Sequence, residues 1–329
     1  MQYNRLGASG LVVSKLTFGA GSLGVGATLP TLKKNVDEKL SKNMVARCLD
    51  AGITSFDCAD VYVNGESEIM LGKALGPRRH EVIVSSKCGG TLAGQKRNWN
   101  QGGLSAKHMI QACEDSLKRM GTDYFDIFYC HSIDRNTPLE ETARAFEHLV
   151  RTGKIRYIGI SNWPAWMTSQ LQTFQAMNRY APVLVNQVYY SILGRLPERE
   201  LVPLQRLTGI GIMGYEALAG GFLTGKYTRE DPAPAGTRRA TFTEAPRFEL
   251  ETGFKAVDVL KDLAQKYNST PARIALAYSI RKPWMNSTIF GVSKMEQLED
   301  NLGAIDFKMP DEEWKKLDEI SPPAKGFRI

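Results

Sequence analysis

The chain has 329 residues, 43% of them hydrophobic and 23% charged, with 30 glycines and 15 prolines dispersed along it. This composition supports a sizeable buried core, excludes collagen and wholesale disorder, and leaves no apolar run of the roughly 18 residues that a membrane span needs. The 42 Lys+Arg exceed the 35 Asp+Glu to give a net charge of +7, which favours anionic small molecules, but no zinc-finger spacing, RNA-binding motif or basic helix turns that charge into nucleic-acid readout.

Five cysteines, Cys48, Cys58, Cys88, Cys113 and Cys130, form an odd set without a CxxC pair. They suggest neither a disulfide framework nor a zinc site, and reduced thiols fit best. The opening residues carry no signal-peptide apolar stretch, so a cytoplasmic location is expected. His80, His108, His131 and His148 are the only histidines, and they contain no HxH or HExxH spacing, so no metal is expected.

In chain order, residues 2–13 read as a short hairpin around Ala8-Ser9-Gly10 that could plug the bottom of a barrel. Short β-branched and aromatic runs follow at 15–19, 53–57, 82–87, 126–131, 157–161, 183–187, 211–215 and 288–292. Amphipathic stretches lie between them at 41–51, 105–120, 138–152, 165–177 and 271–280. Eight such units predict a single α/β domain over 1–329, a closed (β/α)8 TIM barrel. A doubly wound open sheet is the rival, but Gly19-Ala20-Gly21 is not followed by the GxxG spacing and helix of its phosphate fingerprint. Residues 90–103 and 220–251 read as long loops after strand ends, where a barrel places its catalytic face.

Alternate strand residues point inward, and Asp57, Lys87 and His131 close three strands in one inward phase. Tyr62 follows on a loop that can fold back over the mouth. A lysine beside an aspartate can form a buried ion pair, and its ammonium should favour a neighbouring phenolate, lowering the phenol's pKa from its usual value near 10. Singly, an aspartate at a strand end is more often a cap and a lone histidine a satisfied core residue. Together they make an acid–base site.

Phe56-Asp57-Cys58-Ala59-Asp60-Val61-Tyr62 followed by Asn64-Gly65-Glu66-Ser67-Glu68 resembles the FDTAxxY signature of the aldo-keto reductase family. Val84-Ser85-Ser86-Lys87 and the run from Tyr124 to His131 are similar to the family's lysine and histidine strands. The resemblance covers nearly the whole chain and is strongest to the branch with bacterial reductases and potassium-channel beta subunits. It implies the tetrad Asp57, Tyr62, Lys87 and His131, with Tyr62 as general acid in carbonyl reduction and base in alcohol oxidation.

The resemblance also implies a nicotinamide cofactor. Ser161, Asn162 and Gln187 would hold the carboxamide and Tyr215 would stack on the ring. Gly19, Ala20, Gly21, Leu218, Gly221 and Lys226 would line the backbone and phosphate contacts, and Gly291, Ser293, Gln297, Asp300 and Asn301 the adenosine end. Two departures are visible: Glu216 stands where a serine is frequent, and Phe290 where many relatives carry proline. Arg238 and Lys294 could supply the donors that a 2'-phosphate needs, so NADP(H) is expected over NAD(H). Trp99 and Trp163, with Phe242, would wall a pocket for a bulky or planar carbonyl or alcohol substrate. The sequence thus predicts a metal-independent NAD(P)H-dependent oxidoreductase, with an NAD-linked sugar or alcohol dehydrogenase and a cofactor-binding regulatory subunit as alternatives. It predicts neither a nucleic-acid nor a membrane partner, and leaves homo-oligomerisation open.

Overall fold

The computed structural model describes residues 1–29, 32–91, 100–235, 237–241 and 247–323, with backbone only at 26–29, 32–35, 238 and 241. The chain opens with β1 (Tyr3–Arg5) and β2 (Val12–Ser14), paired antiparallel as a hairpin. Then comes the first barrel strand, β3 (Leu16–Gly19), and a second antiparallel hairpin, β4 (Gly24–Leu29) with β5 (Leu32–Val36). The sequence reading did not foresee this second hairpin, because its short run mixes helix-forming and strand-forming residues without a clear period.

The alternation is regular from there: α1 (Glu38–Asp50), β6 (Ser55–Asp57), α2 (Glu66–Leu75), β7 (Ile83–Cys88), α3 (Ala106–Met120), β8 (Phe125–Cys130), α4 (Leu139–Arg151), β9 (Ile155–Ser161), α5 (Ala165–Met177), β10 (Val183–Tyr189), α6 (Pro197–Thr208) and β11 (Gly211–Tyr215). After the longest connection come α7 (Arg238–Thr241), α8 (Leu250–Lys266), α9 (Pro271–Ile280), β12 (Ser287–Phe290), α10 (Met295–Leu302) and α11 (Asp311–Ile320). Strands β3, β6, β7, β8, β9, β10, β11 and β12 form one closed parallel barrel in chain order. The eight expected strands are therefore all present, as is the N-terminal hairpin. Local chemistry sets the helix starts: Asp37, Ser105 and Thr270 each accept the backbone N–H three residues on, at α1, α3 and α9.

Two apolar cores result. The larger fills the space between sheet and helices. The smaller lies inside the barrel and contains Ile83, Ile127, Tyr129, Leu184, Val185, Met213 and Ile289, with Leu6 and Val13 of the hairpin region sealing its lower end. Tyr129 sits directly opposite Gly159 across β8 and β9, and a Cβ on that glycine would come within 2.3 Å of the tyrosine ring. Because Tyr129 is fully buried, the ring has nowhere to move. Gly159→Ala should therefore destabilise the fold by about 1–3 kcal/mol through overpacking. A urea titration would show a lower midpoint with an unchanged slope, and an unchanged midpoint would mean that the interior has slack.

Candidate active site

The strand ends deliver the four expected residues to one place. Asp57 is paired in register with Ser85, and Lys87 with Tyr129, so Asp57 and Lys87 face each other across neighbouring strands at the upper layer. Lys87 Nζ donates to Asp57 Oδ2 at 2.5 Å, to the Cys58 carbonyl at 2.6 Å and to Tyr62 Oη at 3.4 Å. An ammonium has three donors, and these three acceptors account for all of them. Asp57 Oδ1 meanwhile accepts from Ser85 Oγ at 2.7 Å and from Gln187 Nε2 at 2.9 Å. The His131 and Tyr62 rings meet edge-on, centroids 5.7 Å apart.

Lys87 is fully buried. Burial alone would drive it to deprotonate, but the Asp57 carboxylate and the nearby phenol more than reverse that, and the ammonium is held above its ordinary pKa. Burial also pushes the Tyr62 phenol up, against the pull of Lys87. The expected net lowering is thus not found, because removing the phenolate from water outweighs the attraction of a cation at hydrogen-bonding distance. His131 is pushed down to about 3, first by burial and then by Lys87, so its imidazole is neutral over the whole working range. All five cysteines are buried, and burial raises every thiol, so none is poised as a nucleophile.

The loop carrying Tyr62 is unusual. Val63 and Asn64 adopt φ of 46° and 56°, and Val63 is a β-branched residue for which this region is a true outlier. Asn162, Glu216 and Ala219, also after barrel strands, share positive φ. Strain of this kind persists only where surrounding contacts impose it. Beneath the Tyr62 loop, Glu68 is fully buried and accepts from Ser86 Oγ at 2.5 Å and Arg119 Nε at 2.6 Å. Asp60 is buried alongside, and its carboxyl is pushed up to about 7 by burial and by the Glu68 charge.

The remaining expected positions ring the same mouth. Asn162 Nδ2 reaches Ser161 Oγ and Tyr215 Oη, both at 3.1 Å. Gly21 abuts the Tyr62 ring, and Gly19 approaches Gly291. Leu218 opens the turn in which Gly220 and Gly221 have φ of 68° and 90°. A Cβ on Gly221 would stand 3.2 Å from Lys226 Nζ, so the missing side chain keeps a gap beside that ammonium. Ser293 donates to Gln297 Oε1 from both N and Oγ, Lys294 stands at the N-terminal end of α10, and Asn301 is buried near the helix's other end. Asp300 is committed to Thr270 Oγ1 at 2.6 Å and to the Arg273 guanidinium at 3.0 Å, a partner the sequence reading overlooked.

The expected substrate wall needs correction. Trp163 is 1% exposed and lies in the outer core, so it presents no surface at the mouth. Its position just before α5 turns it inward. Trp99 and Phe242 lie outside the described residues, as does the side chain of Arg238. Among the described residues, Tyr189 and Tyr215 form an aromatic pair at the ends of β10 and β11, with centroids 6.1 Å apart.

The Aldo/keto reductase family model matches residues 15–322. The chain is 36% identical to "Probable voltage-gated potassium channel subunit beta" of Oryza sativa over 93% of this chain and 92% of that one. It is 33% identical to "Uncharacterized oxidoreductase YrpG" of Bacillus subtilis, over 99% and 98% of the two chains. Identity to "Versiconal hemiacetal acetate reductase" of Aspergillus parasiticus is 30%, over 98% of each.

Asp60 yields a stability test. Its carboxyl titrates near 7 in the fold against an ordinary 3.8, so the stability it lends is fully present below about pH 4 and is lost as pH rises through 7. Asp60→Asn should therefore gain on the parent chain as pH rises from 5 to 8, by on the order of 4 kcal/mol once Asp60 is fully ionised. Denaturant midpoints of both chains across that range would check it, and a difference independent of pH would refute it.

Proposed function

The chain belongs to the Aldo/keto reductase family, and from that premise we propose that it reduces aldehydes or ketones with a nicotinamide cofactor, Tyr62 being the proton donor. The single observation that carries this reading is the buried Lys87, whose three donors go to Asp57, the Cys58 carbonyl and Tyr62.

The site fits the cofactor. The gap at Gly221 beside Lys226 gives a phosphate both close backbone approach and a cation. Tyr215, Ser161, Asn162 and Gln187 stand at the strand ends where the nicotinamide would lie, and Gly291, Ser293, Gln297 and Asn301 at the adenosine end. When bound, the reduced nicotinamide supplies the hydride. The protein's own residues do the rest. Tyr62 holds its proton throughout the neutral range because its pKa is raised, and gives it to the carbonyl oxygen as charge develops there. The phenolate left behind is stabilised by the Lys87 ammonium, which Asp57 keeps charged. Neutral His131, set against the Tyr62 ring, orients the carbonyl as a hydrogen-bond donor without competing for the proton.

Lys294 at the start of α10, together with Arg238, supports a preference for NADP(H) over NAD(H). The similarity to a channel beta subunit favours a second reading, a cofactor-binding regulatory subunit. Turnover separates the two, since a regulatory subunit alone need not reduce a simple aldehyde such as 4-nitrobenzaldehyde.

Tyr62→Phe should lower carbonyl turnover by about a hundredfold or more while cofactor binding, read by fluorescence titration, is unchanged. Retention of more than about a tenth of the parent rate would place the acid elsewhere. Arg238→Ala combined with Lys294→Ala should weaken NADPH binding by roughly 2–4 kcal/mol and leave NADH nearly untouched. Equal weakening of both would remove the 2'-phosphate assignment.

A further inference from the structure

The connection from β11 to α8 comes back to the barrel at two adjacent residues that face different neighbours. Phe248 packs edge-on against Phe222, centroids 5.0 Å apart, and Phe222 in turn meets Phe254 at 5.1 Å and Tyr227 at 5.6 Å. The first turn of α8 makes room for this: a Cβ on Gly253 would fall 2.7 Å from Phe248 and 2.8 Å from Phe222. Phe222 belongs to the glycine-bearing turn Ala219–Thr224, so Phe248 ties the returning chain to that turn.

Arg247 reaches the barrel rim instead. Its Nη1 donates to Tyr215 Oη at 2.9 Å, and its guanidinium carbon lies 5.0 Å from the centre of the Tyr189 ring. Tyr215 Oη is held on its other side by Asn162, whose Nδ2 donates to it at 3.1 Å. Asn162 Oδ1 also accepts the Tyr189 backbone N–H at 3.1 Å. A tyrosine at a strand end turns about two side-chain torsions: a partner at its hydroxyl fixes where the far end of the ring lies, and a ring against its face, here Tyr189 edge-on at 6.1 Å, sets its plane. Here the hydroxyl has two partners, one on β9's end and one on the returning connection, separated from Tyr215 by 53 and 32 residues respectively. Arginine suits the task, because its planar fork stacks on Tyr189 while donating in plane to Tyr215.

We infer that Arg247 is the positioning residue for the Tyr215 ring, with Phe248 as the anchor that keeps Arg247 in reach. The fold thereby makes the orientation of Tyr215 at the mouth depend on where Arg247 and Phe248 rejoin the barrel. The consequence for cofactor binding rests on the reading that Tyr215 is the aromatic against which the nicotinamide packs.

The test separates the two. With 3-fluorotyrosine placed at position 215, the fluorine resonance of the cofactor-free protein should shift and broaden in Arg247→Ala and return only in part in Arg247→Lys, which restores a donor but not the planar fork. A resonance indifferent to Arg247→Ala overturns the inference, whatever the protein binds. In NADPH titrations, Arg247→Ala and Tyr215→Phe should each weaken binding roughly tenfold, the double variant no further than either alone, with the thermal midpoint of Arg247→Ala unchanged. Additive losses, or parent-like affinity in Arg247→Ala, overturn it. A parent protein that binds no nicotinamide cofactor while the fluorine shift is present would defeat the proposed function and leave the positioning role of Arg247 standing. Should Arg247→Ala fail to fold, Arg247→Gln, which keeps a planar donor without charge, should retain the resonance in part. A Gln variant that folds and shows the same resonance as the parent, with parent affinity, would overturn the role of the charge and with it the inference.

Discussion

Everything at the mouth of this barrel depends on one buried ion pair. Lys87 could not remain charged in the interior without Asp57 beside it, since removing an ammonium from water costs several kcal/mol that only a close counter-charge and full hydrogen bonding offset. The pair is also the geometric keystone. Asp57 collects Ser85 and Gln187, while Lys87 collects the Cys58 carbonyl and the Tyr62 hydroxyl. Three strands, β6, β7 and β10, are thus stitched at one level, with His131 delivered from just past β8.

The same burial decides the acid–base character of the site. Tyr62 and His131 are both moved toward their neutral forms, the phenol upward and the imidazole downward. The centre of the site consequently holds the compensated pair of Lys87 and Asp57 beside two neutral groups. On the proposed reading, an oxygen that becomes negative during reduction then meets a fixed positive group one hydrogen bond behind the donor, the arrangement in which electrostatic stabilisation costs no reorganisation.

Much of this was legible in the chain itself. Parallel strands covered on both faces read as unbroken β-branched and aromatic runs, which is why all eight emerged, and the period of two along them placed Asp57, Lys87 and His131 in one phase. What stayed hidden is what depends on long-range partners. Nothing local says that Trp163 turns into the core, that Asp300 is claimed by Arg273, or that Arg247 reaches Tyr215 across 32 residues. The direction of the Tyr62 shift was misjudged for a related reason: a neighbouring cation can be read from spacing, but the extent of desolvation that opposes it belongs to the assembled barrel.

The hairpin seal at the foot of the barrel has a consequence for proton traffic. Leu6 and Val13 are inaccessible to solvent, and above them Ile127, Tyr129, Val185 and Met213 fill the axis with buried side chains. Among the described residues, the buried hydroxyls of Thr17 and Ser287 on β3 and β12 are bonded to each other and to the Ser14 carbonyl, so they face inward partners rather than the lower surface. On the proposed reading, a proton that Tyr62 surrenders is replaced through the opening by which substrate enters and product leaves. Recharging the acid and clearing the product are therefore sequential claims on one aperture, and any segment that covers it governs both.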